Sequence, residues 1–371
     1  MRGLSVDGLR LLGPRTGVGR YVEYLLREWD ASPAPFERIR LFTPRALDGG
    51  LAFGRGVEHR VVPGRFGDAY WEHVLLPRAH ASGDLLFCPG YVVPALARGK
   101  VVVTHHGSYE AIPEAFPLWS RVKSRALYQW SARRADVVIT VSASSRADIV
   151  RFYGIPESKI RVIPVGVDDA FRPLGATAAV DVARRRYFSD GRPFILFVGK
   201  LTQRRNVPQL VEAFARARSA RSISHGLVLI GPNSAGHDLA ALARRFGVVD
   251  SVVHRDYATH EELVPAYNAA ELFIYPSSYE GFGLPVLEAM ACGTPAIALR
   301  NSAFLEFADG AARLAPTGSA DDLFRAIDEV LGSRDLREEM RRAGLERAAG
   351  YRWKPIAART MDVLAEVARL R

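Results

Sequence analysis

The chain has 371 residues, 48% hydrophobic and 24% charged, ordinary globular values at a length that two lobes of roughly 150–200 residues fill better than one compact domain. No apolar run approaches the ~20 residues a membrane-spanning helix needs, and Met1-Arg2-Gly3-Leu4-Ser5-Val6-Asp7 meets an acid too soon for a signal peptide, so a cytoplasmic chain is expected. Fifty Lys and Arg against forty Asp and Glu leave +10, which suggests an anionic partner without choosing among a nucleotide, a membrane surface and nucleic acid.

Short β-branched runs alternate with longer amphipathic segments, and the runs are continuously apolar, as parallel strands buried on both faces require. Strands are predicted at 3–9, 39–43, 84–88, 101–104, 136–142 and 161–165, then at 194–199, 227–231, 251–254, 272–275 and 295–299. Residues 18–29 set Val18, Tyr21, Val22, Leu25, Leu26 and Trp29 on one helical stripe. Cys88 and Cys292 stand far apart in apolar contexts, which excludes a disulfide framework or a Cys-x-x-Cys knuckle and reads as two buried small hydrophobes. Between 168 and 192 the alternation breaks at Arg172-Pro173-Leu174-Gly175 and a charge-rich run. The lobe boundary is placed there, giving 1–172 and 173–350, with 351–371 as a terminal helix packing back toward the first lobe. The expected class is α/β, with a doubly wound parallel sheet in each lobe.

The most specific motif is Tyr275-Pro276-Ser277-Ser278-Tyr279-Glu280-Gly281-Phe282-Gly283-Leu284-Pro285-Val286-Leu287-Glu288-Ala289-Met290-Ala291. It reads as strand, glycine loop and helix, with Pro285 suited to the first helical turn. Glycines let a ligand approach the backbone, and free amides at the helix start favour phosphate. Glu280 and Glu288 aim two carboxylates at one pocket, where each could accept from sugar hydroxyls. A plain glycine turn with a helix-stabilising acid is the structural alternative. In the first half, Gly13-Pro14-Arg15-Thr16-Gly17-Val18-Gly19-Arg20-Tyr21 opens the first helix, and the strand 101–104 delivers His105-His106-Gly107-Ser108 to its carboxyl end. Asp-x-Asp, Gly-x-Ser-x-Gly and P-loop motifs are absent from the sequence, which argues against metal-bound pyrophosphate, hydrolase and P-loop chemistries.

The Glu-x7-Glu segment resembles the donor-site signature of the retaining glycosyltransferases of family 4, the glycosyl transferases of group 1. Phe197-Val198-Gly199-Lys200-Leu201-Thr202-Gln203-Arg204-Arg205-Asn206, Asp136-Val137-Val138-Ile139-Thr140-Val141-Ser142, residues 159–168 and Trp353 extend the resemblance over nearly the whole chain. It implies the GT-B fold: two facing Rossmann-like lobes, acceptor-binding then donor-binding, with a cleft between them. On this resemblance Lys200 and Arg205 take the donor pyrophosphate with Gly199. The family usually has these two cations in the opposite order, so the geometry of contact is expected to differ while the charge is kept. Arg204 stands open between a site residue and a solvated loop cation. Glu288 holds the ribose, while Glu280 and the amides of Gly281, Phe282, Gly283 and Leu284 orient the sugar. Gly17 and Gly19 belong to a loop covering the donor phosphates from the first lobe. His106, favoured over His105 by alignment through Thr104 and Gly107, contacts the sugar.

The implied reaction moves a hexose, of mannose or rhamnose type or else glucose, from a GDP-, dTDP- or UDP-linked donor to a hydroxyl acceptor, with retention. No metal and no cofactor beyond the donor substrate is expected, and polysaccharide assembly is the implied setting. Asn301-Ser302-Ala303-Phe304-Leu305-Glu306 and Arg205-Asn206 carry the sugar-type resemblance. Two other readings compete: a nucleotide-sugar 2-epimerase of the same fold, and a basic nucleic-acid-binding protein, for which no helix-turn-helix, zinc or RNP signature exists. Segment 117–134 carries Arg121, Lys123, Arg125, Arg133 and Arg134 with Trp119, Tyr128 and Trp130 and no acid. It reads as an anionic-membrane contact presenting a lipid-linked acceptor, or as a surface helix packing Leu118, Val122 and Leu127 inward.

Overall fold

The computed structural model describes residues 3–13, 17–32, 34–48, 51–81, 83–112 and 118–370. The chain forms two compact units, Met1–Gly166 with Trp353–Arg371, and Val167–Arg352. The sequence reading divides the chain at 172/173 and at 350/351; the two crossings between units fall at 166/167 and 352/353.

The first unit holds seven parallel strands: β1 (Leu4–Asp7), β2 (Ile39–Thr43), β3 (Val57–Val61), β4 (Leu85–Cys88), β5 (Val101–His105), β6 (Val137–Thr140) and β7 (Ile160–Val162), in the order β3-β2-β1-β4-β5-β6-β7. Leu4 stands opposite both Ile39 and Leu85. The central strands β1, β4 and β5 are buried along their whole length, which explains why their sequences are unbroken apolar runs. The helix Gly17–Ala31 buries Tyr21, Val22, Leu25, Leu26 and Trp29 of the stripe read from the sequence and leaves its first member, Val18, half-buried. Behind it lies the terminal helix Trp353–Arg369: the Trp353 ring stacks on Tyr24 with centroids 5.2 Å apart, and Trp29 Nε1 donates to the Ala357 carbonyl at 3.1 Å.

The second unit holds six parallel strands: β8 (Phe194–Val198), β9 (Gly226–Ile230), β10 (Val252–Arg255), β11 (Leu272–Tyr275), β12 (Ala296–Leu299) and β13 (Arg313–Ala315), in the order β10-β9-β8-β11-β12-β13. Each sheet winds one way from its first strand and then reverses, so the winding switches between β1 and β4 and again between β8 and β11. Crevices outside the carboxyl ends of strands at such a switch are where open α/β sheets place ligands.

Two strands escape the sequence reading, β3 and β13, and both are sheet edges. β3 reads Val-Glu-His-Arg-Val, with Glu58 and Arg60 exposed and paired to each other. Charges on an edge discourage a further strand from adding, and they also erase the apolar signature. Cys88 and Cys292 are both free and buried, one in each unit, as the sequence suggests.

Candidate active site

In the second unit two loops meet at the β8/β11 switch. Gly199 ends β8 with φ +147°, and a Cβ there would lie 2.2 Å from the Arg205 guanidinium, so only glycine fits. The turn that follows folds Arg204 and Arg205 back over the end of β11. Arg205 Nη1 donates to the Lys200 carbonyl at 2.8 Å, Nη2 reaches Glu280 Oε1 at 3.3 Å, and the guanidinium carbon sits 4.9 Å from the Tyr275 ring centre. Arg204 donates to Ser277 Oγ at 2.7 Å, to the Tyr279 carbonyl and to Glu280 Oε1. The Asn206 amide holds the Pro276 carbonyl at 2.8 Å.

Glu280 is the hub of this lattice. Its Oε1 also accepts from the Tyr275 hydroxyl at 3.0 Å and from Ser277 Oγ at 2.9 Å. Burial alone would raise its pKa, but the charges of Arg204 and Arg205, with their hydrogen bonds, override it and hold the carboxyl at about 2. The carboxylate therefore fixes two cations in place. Arg205 Nε is buried and unpartnered among the described residues, as is the Thr202 hydroxyl. A buried donor left unmade is costly, and a ligand oxygen above this turn would satisfy it. Lys200 is exposed at the mouth of the same turn.

After Glu280 the chain enters the helix Leu284–Ala291 through Gly283, whose φ is +105° and whose Cβ would meet Phe304 at 2.3 Å. Pro285 occupies the first turn. The Phe282 ring is committed to the core, stacked on Phe307 at 4.6 Å, so a ligand could use its amide and not its ring. Gly281 is buried beside it and Leu284 is half-buried at the helix start. Glu288 lies on the buried side of the helix, 1% exposed, where Tyr267 donates to its Oε2 at 2.8 Å. Each carboxylate thus carries a tyrosine hydroxyl, Tyr275 on Glu280 and Tyr267 on Glu288.

In the first unit the two histidines part company. His105 closes β5 with both ring nitrogens buried and without a partner among the described residues, its ring in edge contact with Tyr91, Tyr128 and Tyr153. His106 Nε2 lies 2.7 Å from the Pro89 carbonyl. A carbonyl only accepts, so Nε2 carries the hydrogen and Nδ1 is left as an acceptor. Burial, reinforced by the nearby Arg10 charge, pushes the His106 pKa down to about 4, so the ring is neutral at physiological pH. Gly17 is the first, exposed residue of the helix Gly17–Ala31, and Gly19 is buried within its first turn. The structure puts both on a helix rather than in a loop; Pro14, Arg15 and Thr16 lie outside the described residues.

The helix Leu118–Arg134 differs from its expected packing. Val122 is 56% exposed, with Trp119 at 79% and Trp130 at 40%, and these lie with Ala126 along one outward stripe. Ser131 and Ala132 bury the opposite side, with Tyr128 stacked on Tyr91. Arg134 is held by the Ala97 and Gly99 carbonyls and Arg121 by that of Glu110, so not all five cations face solvent. Pro117 lies outside the described residues. Arg204 is the residue whose role the sequence left undecided: its side chain is 11% exposed, and its Nη1 is turned onto Ser277, Tyr279 and Glu280. Only its place beside Arg205 hinted at this.

Two family profiles match the chain, Glycosyltransferase Family 4 over residues 15–171 and Glycosyl transferases group 1 over 181–347. The chain belongs to these glycosyltransferases. The group 1 match spans Lys200, Arg205, Glu280 and Glu288, and the family 4 match spans His106. Among relatives, the O-antigen chain mannosyltransferase B of Escherichia coli is 27% identical over 277 residues, 74% of this chain and 72% of that protein. The MMP alpha-(1->4)-mannosyltransferase of Mycolicibacterium hassiacum is 32% identical over 62% of this chain and 54% of its own length. The crystal structure of Anabaena HepE in complex with UDP-glucose superposes with a TM-score of 0.78 at 16% identity, covering 99% of this chain and 100% of that one. This glycosyltransferase therefore has the GT-B fold. Among its described residues, no helix is long and apolar enough to cross a membrane.

Proposed function

We propose that the protein transfers a hexose from a nucleoside-diphosphate sugar to a hydroxyl acceptor with retention of anomeric configuration, and without a metal ion. The observation that carries this reading is the buried arginine pair held on Glu280, with Arg205 Nε unsatisfied and Lys200 open beside it. Fixed cations aimed at one point stabilise charge that grows on a leaving diphosphate, at no reorganisation cost during the reaction. The acceptor oxygen bonds to the anomeric carbon as the carbon–phosphate oxygen bond breaks on the same face, and the acceptor's proton passes to the departing phosphate oxygen. Nucleoside diphosphate and glycoside leave. Glu288 holds the ribose, and the amides of Gly281, Phe282, Gly283 and Leu284 orient the sugar. The part assigned to His106 is to accept from a sugar hydroxyl at Nδ1 as a neutral ring.

The mannosyltransferase relatives support a mannose-type donor. The exposed Trp119–Val122–Trp130 stripe with Lys123 and Arg125 supports contact with an anionic bilayer and a lipid-linked acceptor in polysaccharide assembly. Thermal-shift screening of GDP-, dTDP- and UDP-sugars tests the donor, since a ligand at 100 times its Kd adds about 2.7 kcal/mol. Donor turnover that disappears with EDTA and returns with manganese overturns metal independence. Liposome flotation that ignores lipid charge and salt overturns the membrane contact.

A further inference from the structure

Among the described residues Tyr91 is the one aromatic residue with a positive φ, +70°. It lies just past the end of β4 as the middle residue of a three-residue γ-turn, in which the Val92 amide donates to the Gly90 carbonyl at 2.9 Å. With a positive φ at its centre such a turn is rare and strained. Glycine would fill the position without strain. An aromatic side chain held there marks contacts that outweigh the strain, and residues of this kind gather at functional sites.

Those contacts converge on His106. Two residues before Tyr91, the Pro89 carbonyl lies 2.7 Å from Nε2 of the imidazole. The Tyr91 ring meets the same imidazole at 5.6 Å with the planes 61° apart, and the Tyr21 ring, from the helix Gly17–Ala31, meets it edge-on at 4.8 Å and 81°. The Tyr91 amide donates to the Thr104 carbonyl at 2.9 Å, which ties the turn to β5, the strand that delivers the histidines. Tyr91 also stacks on Tyr128 at 4.8 Å and touches His105 edge-on at 5.4 Å, contacts that anchor its own ring. His106 is 9% exposed. A buried imidazole pinned at one nitrogen and flanked by two tyrosines keeps one tautomer and one plane, so the direction of its Nδ1 is set by this turn.

We propose that Tyr91 is a positioning residue for His106: its γ-turn sets the Pro89 carbonyl and the tyrosine ring that together hold Nδ1 at the angle from which it accepts from a hydroxyl of the donor sugar. The inference rests on the role given to His106 above and deepens it by naming what orients that ring. Closing the loop after β4 would by itself favour glycine at 91. The glycine of the turn stands at 90 instead, and the residue that takes the positive φ is the one whose side chain reaches the histidine.

Nitrogen-15 NMR of the imidazoles, with the His106 signals assigned by their loss in His106→Ala, tests it together with calorimetric titration of the full chain with GDP-mannose, dTDP-rhamnose, UDP-glucose and their nucleoside diphosphates. In the wild type His106 should show one tautomer, Nε2 protonated and Nδ1 bare. In Tyr91→Gly its two nitrogen shifts should move toward each other. Affinity for the best-bound nucleotide sugar should fall about three- to tenfold there, the size of one neutral hydrogen bond, while affinity for the matching diphosphate stays unchanged. Tyr91→Phe keeps the ring and should keep most of that affinity, and Tyr91→Gly added to His106→Ala should bring no further loss. Mixed tautomers in the wild type overturn the proposal with no variant needed, so a Tyr91→Gly chain that fails to fold does not shield it. The proposal also falls if Tyr91→Gly binds nucleotide sugar as the wild type does while His106→Ala does not, if diphosphate affinity drops equally, or if the two losses add in the double variant. A His106→Ala variant that binds every nucleotide sugar as the wild type does sinks instead the role given to His106, and a wild type that binds none of them sinks the transfer reading.

Discussion

A carboxylate accepting from two arginines, a tyrosine and a serine cannot lose its charge without loosening all four. Glu280→Gln should lower turnover about 10²- to 10³-fold, the effect of removing one preorganised polar element. It should also destabilise the fold by about 3 kcal/mol, because two guanidinium groups are left buried without their counter-charge. Turnover within threefold of wild type, at an unchanged denaturation midpoint, would remove Glu280 from both roles. The folded-state pKa lies below the usual carboxylate value, so this stabilisation is complete above pH 4.5 and is lost as pH falls toward 2. Glu72 behaves oppositely. Its folded-state value is raised, so its contribution is present below pH 4.5 and lost as pH rises toward 9. Denaturant titrations at pH 5 and pH 8 should therefore show Glu72→Gln gaining on the wild type as pH rises; a constant difference would mean Glu72 is not protonated in the fold. Of these residues, Glu280 and Glu288 were legible because their spacing is tied to a glycine loop and a helix start. Arg204 was not, since nothing in a pair of adjacent arginines says which one folds inward.

At the scale of elements, the turn between β8 and the helix Val207–Arg221 is built around Gly199, and its tolerance is nil. Gly199→Ala must both adopt φ +147° and displace the Arg205 guanidinium. It should cost at least as much nucleoside-diphosphate affinity as Arg205→Ala, and calorimetric titration of the two variants checks the order. Lys200→Ala with Arg205→Ala should lose more than either alone, since both serve one diphosphate; unchanged affinity in the double variant would mean that the phosphate loop is misplaced. The buried strands were readable from apolar runs, and β3 and β13 were not, because an edge strand needs only one ladder and carries charge on its open side. The helix Leu118–Arg134 was found, but the inward packing of Val122 was not: Val122 joins the tryptophans outside, while Ser131, Ala132 and Tyr128 take the inward side.

At the scale of the whole molecule, the first unit is assembled from both ends of the chain. The terminal helix buries Trp353, Ile356, Leu364 and Val367, and side chains of this kind contribute about 1.5–3 kcal/mol each. Their sum is comparable to the entire stability of a typical domain. Removing residues 353–371 should therefore unfold the first unit while the second keeps its own thermal transition; calorimetry that shows two unchanged transitions would refute this. The two-sheet architecture was legible from alternation alone, and the loops around Gly199 and Gly281 from their motifs. The short π-helical turn Trp71–Leu75, which sets the buried Glu72 near Asp7, was not, because 65 residues separate two groups that only the folded sheet makes neighbours.

That discontinuous first unit sets an order of events during synthesis. All of 167–352 leaves the ribosome before Trp353 can stack on Tyr24, or Lys100 can reach the Val367 carbonyl. The second unit can mature while the half made first still waits for its last helix, with the apolar stripe of Gly17–Ala31 uncovered. A ribosome that stalls late in the message would thus release a chain with a finished second unit and an exposed hydrophobic flank, a form that chaperones and proteases recognise readily.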